Sequence, residues 1–127
     1  MKDLPCYEKD FPNWRDMEQK ELGEIVVDVS MIIGSSKFVC ENYNEDYSPK
    51  EGYRNLRYEN AFEMVKKNMK EQEEPLYLGF VHFFQFRKNG KILNYVCADG
   101  NRRVSACKML GVKKIMAEAT FCFNKKV

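Results

Sequence analysis

The sequence predicts a compact α+β domain, in which helices and strands are mixed along one chain. Residues 25 to 33 alternate apolar and polar side chains, as a half-buried strand does. Residues 58 to 72 repeat apolar side chains at the helical period. Asn89-Gly90 separates two apolar runs and marks a β-hairpin, because both central residues of its turn need a positive φ. The length of 127 residues suits a single domain.

Composition and charge narrow the class of protein. Lys and Arg number 21 against 19 Asp and Glu, a net charge of +2, which argues against a dedicated nucleic-acid scaffold but leaves room for a local basic site. The sequence has no apolar run long enough for a membrane helix, and charges interrupt the N-terminus where a signal peptide is apolar. We therefore expect a cytoplasmic protein without a membrane partner.

Cysteine usage fits that compartment. The five cysteines are odd in number, lie apart, and have no CxxC spacing, and the chain contains one histidine. This pattern predicts neither a disulfide framework nor a zinc site. We expect no metal ligands among these residues and expect most of the thiols to be buried.

The first half of the chain divides into three predicted segments. Residues 1 to 23 form an N-terminal extension, with a weakly patterned short helix over residues 14 to 22. The domain proper covers residues 24 to 127 and begins with the strand at residues 25 to 33. Residues 34 to 57 are polar, rich in Tyr and Asn, and interrupted by proline and glycine, which predicts a long surface loop.

The second half predicts a helix, a hairpin, a second helix and a last strand. The helix over residues 58 to 72 ends before Pro75. A helix follows over residues 101 to 110, with Gly111 as its C-terminal stop, and the last strand covers residues 114 to 123. A two-residue turn fixes the hairpin register, which pairs Lys88 with Lys91, Phe86 with Leu93, Phe84 with Tyr95, and His82 with Cys97.

The segment CADGNRRVSACKMLG, residues 97 to 111, raises the question of what its two arginines do. Arg102 and Arg103 fall in the first turn of the predicted helix, where backbone N–H groups lack partners and the helix dipole is positive. A cation there needs an anion. The helical period places Arg103 near the middle of the apolar face, while Ser105 and Lys108 are predicted to point away.

Two explanations for Arg103 are evenly balanced on the residue pattern alone. In the first, a carboxylate from the fold pairs with it, or its side chain extends past the helix start into water. In the second, a bound phosphate is held by Arg103 and by the free N–H groups after Gly100. On the second explanation, Arg103→Ala and Arg103→Lys should both abolish phosphate binding without unfolding the protein.

The segment ADGNRRVSACKMLGVKKIMAE resembles the signature of the ParB/sulfiredoxin superfamily: a strand, Asp-Gly-x-x-Arg, a helix containing alanine, Leu-Gly and a final strand. The resemblance covers residues 24 to 123 and is to a stand-alone domain of the ParB N-terminal type. It implies a nucleotide-binding module that takes the phosphates of ATP or CTP, carried with Mg²⁺, at the Gly-x-x-Arg turn. The residues so implied are Asp99, Gly100, Asn101, Arg102 and Arg103, with Lys37 at the border of the site.

The resemblance leaves several functions open. Slow NTP hydrolysis or phosphoryl transfer would make the protein an NTPase or a phosphotransferase, but the sequence singles out no catalytic residue. Sulfiredoxin repair chemistry is not expected, because Asn101 stands where that branch has its catalytic cysteine. One alternative is a non-catalytic interaction protein of a phage or mobile element, with a protein or DNA partner. Another is a ParB-like nuclease, which needs clustered metal-binding carboxylates that the sequence does not show.

Two further arrangements depend on how the strands pair. If the first strand lies parallel and adjacent to the strand before Asp99, loop residues Lys37, Tyr43, Tyr47 and Tyr53 would cover the nucleotide, with a ring available for base stacking. The hairpin register also places His82 beside Cys97. A packed strand histidine is the better interpretation of that pair, with a Cys-His nucleophile as the alternative.

Overall fold

A five-stranded mixed sheet forms the centre of the structure, a computed structural model that describes residues 2 to 97 and 99 to 125. The strands are β1 (Glu18–Asp28), β2 (Ile32–Gly34), β3 (Leu76–Lys88), β4 (Lys91–Val96) and β5 (Lys114–Phe123). The helices in the described residues are α1 (Tyr7–Asp10), α2 (Lys37–Cys40), α3 (Leu56–Glu71) and α4 (Asn101–Leu110). The fold class is α+β, as predicted.

The strand order across the sheet is β1-β5-β3-β4-β2. β1 and β5 are antiparallel, β5 and β3 parallel, β3 and β4 antiparallel, and β4 and β2 parallel. β1 and β2 therefore form the two edges. None of the helices in the described part of the chain has the length and apolar character needed to cross a membrane.

The predicted hairpin is confirmed together with its register. Asn89 and Gly90 have φ values of 52° and 76°, as the two-residue turn requires. Lys88 pairs with Lys91, and the predicted pairs extend inward as far as the Cys97 N–H, which donates to His82 O at 3.0 Å. The helices predicted over residues 58 to 72 and 101 to 110 and the strand over residues 114 to 123 are also present.

The strand predicted over residues 25 to 33 is wrong in extent. β1 starts at Glu18, and a 3₁₀ turn over Val29–Met31 separates it from β2, so the two strands occupy opposite edges of the sheet. The apolar alternation of the sequence runs through the break, but the buried residues are Val27, Val29 and then Ile32, so the turn shifts the buried face by one residue. The apolar periodicity of a sequence indicates which residues are buried, and it does not show where the backbone changes direction.

The short helix predicted over residues 14 to 22 is also wrong. A 3₁₀ turn covers Trp14–Asp16, after which the chain joins the sheet, with Glu18 opposite Phe123 of β5. Pairing with a strand distant in sequence decides this segment, and local propensity does not report such pairing. Residues 2 to 23, predicted as an extension, pack on the domain and bury Leu4, Cys6 and Tyr7.

Residues 34 to 57 are not a surface loop throughout. The segment contains α2, and Tyr43 and Tyr47 are fully buried at 0% exposure within the main core. That core lies between the sheet and helices α3 and α4. Tyrosine combines a large apolar ring with one hydroxyl, so a polar-looking segment can still supply core side chains.

Candidate functional site

An open cleft of about 450 Å³ lies between the beginnings of α3 and α4. It brings together four of the predicted site residues, Asp99, Gly100, Arg102 and Arg103. α3 contributes the other wall, which the sequence did not single out: Arg57, Asn60, Ala61 and Met64. Arg57 is the second residue of α3, and nothing in the sequence indicates that this helix packs beside the Gly-x-x-Arg turn.

Gly100 is required by the backbone and by packing. It has φ 111° and ψ 0° at the N-cap of α4. A Cβ at Gly100 would lie 3.1 Å from both methyl carbons of Val81 in β3. The glycine therefore lets α4 begin directly against the sheet, and it has no side chain of its own with which to cap the helix.

Asn101 faces the interior and ties α4 to the preceding segment. The Tyr47 hydroxyl donates to Asn101 Oδ1 at 2.7 Å, and Ser105 Oγ donates to Tyr47 O at 2.7 Å. Tyr58 of α3 shares a 2.7 Å hydrogen bond with the same Ser105 hydroxyl. The prediction that Ser105 points away is wrong, since α4 is covered on this side by α3 and by the segment around Tyr47, which leaves Ser105 at 0% exposure.

Arg103 binds the backbone of β3. Its Nη1 donates to Leu78 O at 2.6 Å and its Nη2 donates to Phe80 O at 2.9 Å. Gly79, with φ 87°, lies between these carbonyls at a bulge in β3, and a Cβ there would approach Arg103 Nη1 to 3.1 Å. Neither explanation from the sequence foresaw backbone carbonyls as the partners. Gly79 was the available signal, because a glycine inside a strand often marks a bulge.

Arg102 and Arg57 have unused hydrogen-bonding capacity within the described residues. The Arg102 guanidinium carbon lies 5.8 Å from the centre of the Tyr53 ring, and its Nε is buried without a hydrogen-bond partner there. Arg57 is exposed at the rim and has no ion pair in the described part of the chain. A buried N–H group without a hydrogen-bond partner destabilises the folded state, and Arg102 is the residue of the cleft in which such a group is found among the described residues.

The cleft carries a local positive excess. Three arginines line it against one carboxylate, that of Asp99, and no ion pair joins these groups within the described residues. The start of α4 adds the positive end of a helix dipole, and its N-cap residue is a glycine, which has no side chain to cap it. The arrangement suits an anion that accepts several hydrogen bonds.

Lys37 lies away from this cleft. It is the first residue of α2 and lines a separate depression, together with residues of the N-terminal segment. Its backbone N–H donates to Glu8 Oε1 at 3.1 Å. The structure therefore does not bring Lys37 together with the residues of the Gly-x-x-Arg turn.

The prediction that tyrosines of the loop cover a bound nucleotide is wrong for two of the three tyrosines. β2 and β4 do lie parallel and adjacent, as the hypothesis required. Tyr43 and Tyr47, however, are buried in the core, so their rings are not available for base stacking. Tyr53 is half-buried and reaches the site through its contact with Arg102.

His82 and Cys97 behave as packed strand residues. His82 Nε2 lies 2.8 Å from Thr120 Oγ1, and its ring packs against Phe80 and Phe84. Burial raises the pKa of the Cys97 thiol to about 11. A thiol held in its neutral form beside a histidine that bonds elsewhere is not an activated nucleophile.

We expect native cysteines to react slowly with thiol reagents near pH 8. Burial raises the pKa of Cys40 and Cys107 to about 12 and that of Cys122 to about 11, so the reactive thiolate is scarce in each of them, as in Cys97. Labelling with iodoacetamide, followed by peptide mass spectrometry, measures each site separately, and the urea-unfolded chain gives the reference rate. Rapid labelling of Cys97 in the folded protein would show that its thiol is activated.

No protein-family model matches the chain, and no curated protein and no solved structure gives a match either. The relationship to the ParB/sulfiredoxin superfamily stays a prediction, and so does every function that it implies. Within residues 2 to 97 and 99 to 125, no three His, Cys, Asp or Glu side chains are grouped so that they could hold a metal ion.

Proposed function

We propose that this protein binds the phosphate groups of a nucleotide in the cleft between α3 and α4. One observation carries the proposal: Arg57, Arg102 and Arg103 converge on one cleft at a helix start whose N-cap is Gly100, without ion-pair partners in the described residues. Guanidinium groups and helix N–H groups are the donors that proteins use most often for phosphate. The volume of about 450 Å³ falls in the range of small-molecule sites.

The three arginines have different parts in this proposal. Arg57 and Arg102 supply donors, because neither guanidinium is held by a carboxylate in the described structure. Arg103 is fixed by the carbonyls of Leu78 and Phe80 and supplies positive charge from a constant position. A charge that is already fixed before binding does not have to be ordered when the phosphate arrives.

Asp99 is the carboxylate of the cleft and would face a Mg²⁺ ion carried by the phosphates. Mg²⁺ is commonly held by one or two carboxylates together with substrate phosphates, so a single aspartate fits a metal that arrives with ATP or CTP. Turnover of the bound nucleotide, by slow hydrolysis or phosphoryl transfer, is a further prediction from the resemblance. No general base is assigned to it.

Thermal unfolding with ATP, CTP or GTP, with and without Mg²⁺, tests the proposal. A ligand present at about 100 times its dissociation constant should stabilise the folded protein by about 2.7 kcal/mol. Arg57→Ala and Arg102→Ala should each weaken binding about tenfold or more, because each removes charge-assisted hydrogen bonds. Lys37→Ala is the matched control and should bind as the wild type does, since Lys37 lines a different depression.

The same experiment identifies the part of the ligand that is recognised. Inorganic phosphate, adenosine and ATP are compared at equal ionic strength. Stabilisation by ATP well above that by phosphate supports a nucleotide site, whereas equal stabilisation by both would point to a general anion site. If Arg57→Ala and Arg102→Ala bind the ligand as the wild type and the Lys37→Ala control do, the ligand does not bind in this cleft.

A further inference from the structure

The sheet face opposite α3 and α4 is only partly covered by the described chain. The N-terminal segment packs Tyr7 and Trp14 over Phe84, with ring centres 5.2 and 5.9 Å apart, and so covers the part formed by β4 and the end of β3. The remaining part, formed by β1, β5 and the beginning of β3, holds three large exposed apolar side chains. These are Tyr77 at 58%, Phe80 at 57% and Val26 at 48% exposure.

Strand register places these side chains beside a row of acids. Val26 pairs with Met116, which pairs with Tyr77, so one row across β1, β5 and β3 is apolar. In the neighbouring row Glu24 lies directly opposite Glu118. Among the described residues neither glutamate has an ion-pair partner, and like charges at opposite positions destabilise a sheet.

The charge of this surface is acidic over its central part. Glu21, on the same face of β1 and opposite Thr120, adds a third carboxylate to the two in the glutamate row. The lysine on this face of β5, Lys114, lies at the end of the strands opposite Asp28. In β3 the residue opposite Glu118 is His82, whose Nε2 lies 2.8 Å from Thr120 Oγ1. Within the described residues no lysine or arginine forms an ion pair with Glu21, Glu24 or Glu118.

We propose that this outer sheet surface, defined by Val26, Tyr77, Phe80, Met116, Glu24 and Glu118, docks a basic amphipathic segment of another protein. Apolar side chains of the partner would cover the apolar row, and its lysines or arginines would pair with the opposed glutamates. An apolar patch edged by charge is typical of protein interaction surfaces. The cation would also relieve a repulsion that the free protein retains.

A second copy of this chain fits the surface less well. In a two-fold symmetric dimer the same patch meets itself, so the glutamate rows of both copies would be brought together. Such an interface would bury apolar area, but it would also bring the carboxylates of Glu24 and Glu118 from both copies close together, and these four like charges repel. The charge therefore favours a basic partner over self-association.

The test measures the affinity of the full chain for two synthetic helical peptides by fluorescence anisotropy. One peptide places leucine on one face and lysine on the other, and the second replaces every lysine by glutamate. The wild type should bind the lysine peptide at least tenfold more tightly than the glutamate peptide. Tyr77→Ser with Phe80→Ser should weaken binding of the lysine peptide about tenfold, and Glu24→Gln with Glu118→Gln should remove most of the discrimination.

Matched controls use exposed residues elsewhere on the protein. Phe38→Ser and Leu56→Ser remove side chains that are 82% and 76% exposed, and Glu45→Gln removes an exposed acid from the segment before α3. These variants should bind the lysine peptide as the wild type does. Equal losses in the control and surface variants would overturn the proposal, as would peptide discrimination that persists in the double glutamine variant.

Two further measurements check that the variants are folded and that the free protein is a monomer. Circular dichroism checks that every variant is folded, and Glu118→Gln should raise the thermal midpoint because it removes the repulsion from Glu24. Sedimentation of the free wild type should show a monomer. A dimer that dissociates in the Tyr77→Ser, Phe80→Ser variant would assign the surface to self-association and overturn the proposal.

Discussion

Gly34→Ala is expected to lower the free energy of unfolding by about 3 kcal/mol. A Cβ at Gly34 would lie 2.2 Å from Pro5 O and 2.7 Å from Cδ2 of Tyr95. The first of these atoms belongs to the backbone, which is held there because Pro5 O accepts a hydrogen bond from Ser35 N at 3.0 Å. The added methyl group must therefore displace the N-terminal segment from β2. Urea unfolding followed by circular dichroism measures the loss.

Gly52→Ala is the matched control for this substitution. Gly52 has φ 87°, and nothing lies within 4 Å of the position that its Cβ would occupy. Its substitution introduces backbone strain without a clash and should cost about 1 kcal/mol. If Gly34→Ala were no more destabilising than Gly52→Ala, the N-terminal segment would not be held tightly against β2.

Arg103→Ala is expected to destabilise the fold by about 3 kcal/mol, because two carbonyl groups lose charge-assisted hydrogen bonds. The guanidinium joins Leu78 O and Phe80 O at the β3 bulge and so holds α4 against the sheet. Arg103→Lys should recover part of the loss, since one ammonium group cannot span both carbonyls as a planar guanidinium does. This result differs from the one that the phosphate explanation predicts from the sequence alone, in which Arg103→Ala stays folded and loses only phosphate binding.

Arg102→Ala is the comparison that separates structural from binding effects. Its Nε has no hydrogen-bond partner in the described structure, so its removal should change the free energy of unfolding by about 1 kcal/mol or less. Urea unfolding of both variants without ligand gives the two values. If Arg103→Ala were as stable as the wild type, the two carbonyl contacts would contribute nothing to the fold, and Arg103 would be available to a ligand.

The elements that the sequence predicted well are those specified by local signals. Asn89-Gly90 fixes a turn and hence the register of β3 against β4, and α3 and α4 show a helical period or a clear stop. The break at Val29–Met31 was not predictable in this way. The apolar alternation of the sequence runs through this turn, although the buried residues are Val27, Val29 and then Ile32 and β1 and β2 lie at opposite edges of the sheet.

Of the two walls of the candidate site, the one formed by the start of α4 was predictable from the sequence and the one formed by α3 was not. The turn from Asp99 to Arg103 is contiguous in sequence, so its chemistry was visible before the fold was known. Arg57 comes from a helix that starts 45 positions before α4, and only the packing of α3 on α4 brings it to the same cleft. Lys37 was implied by the resemblance, as a residue of the loop after the first strand, but in the structure it lines a separate depression.

Hydrogen–deuterium exchange with and without saturating ATP or CTP and Mg²⁺ is the most direct test of phosphate binding in the cleft between α3 and α4. The amides of Arg102 and Arg103 precede the bond from Val104 N to Gly100 O at the start of α4, so a phosphate bound there would accept from them and slow their exchange. We predict slower exchange at the start of α4 and the start of α3 when nucleotide is bound, and unchanged exchange in α2. No change on adding nucleotide, or slowing confined to α2 or the outer sheet surface, would contradict it.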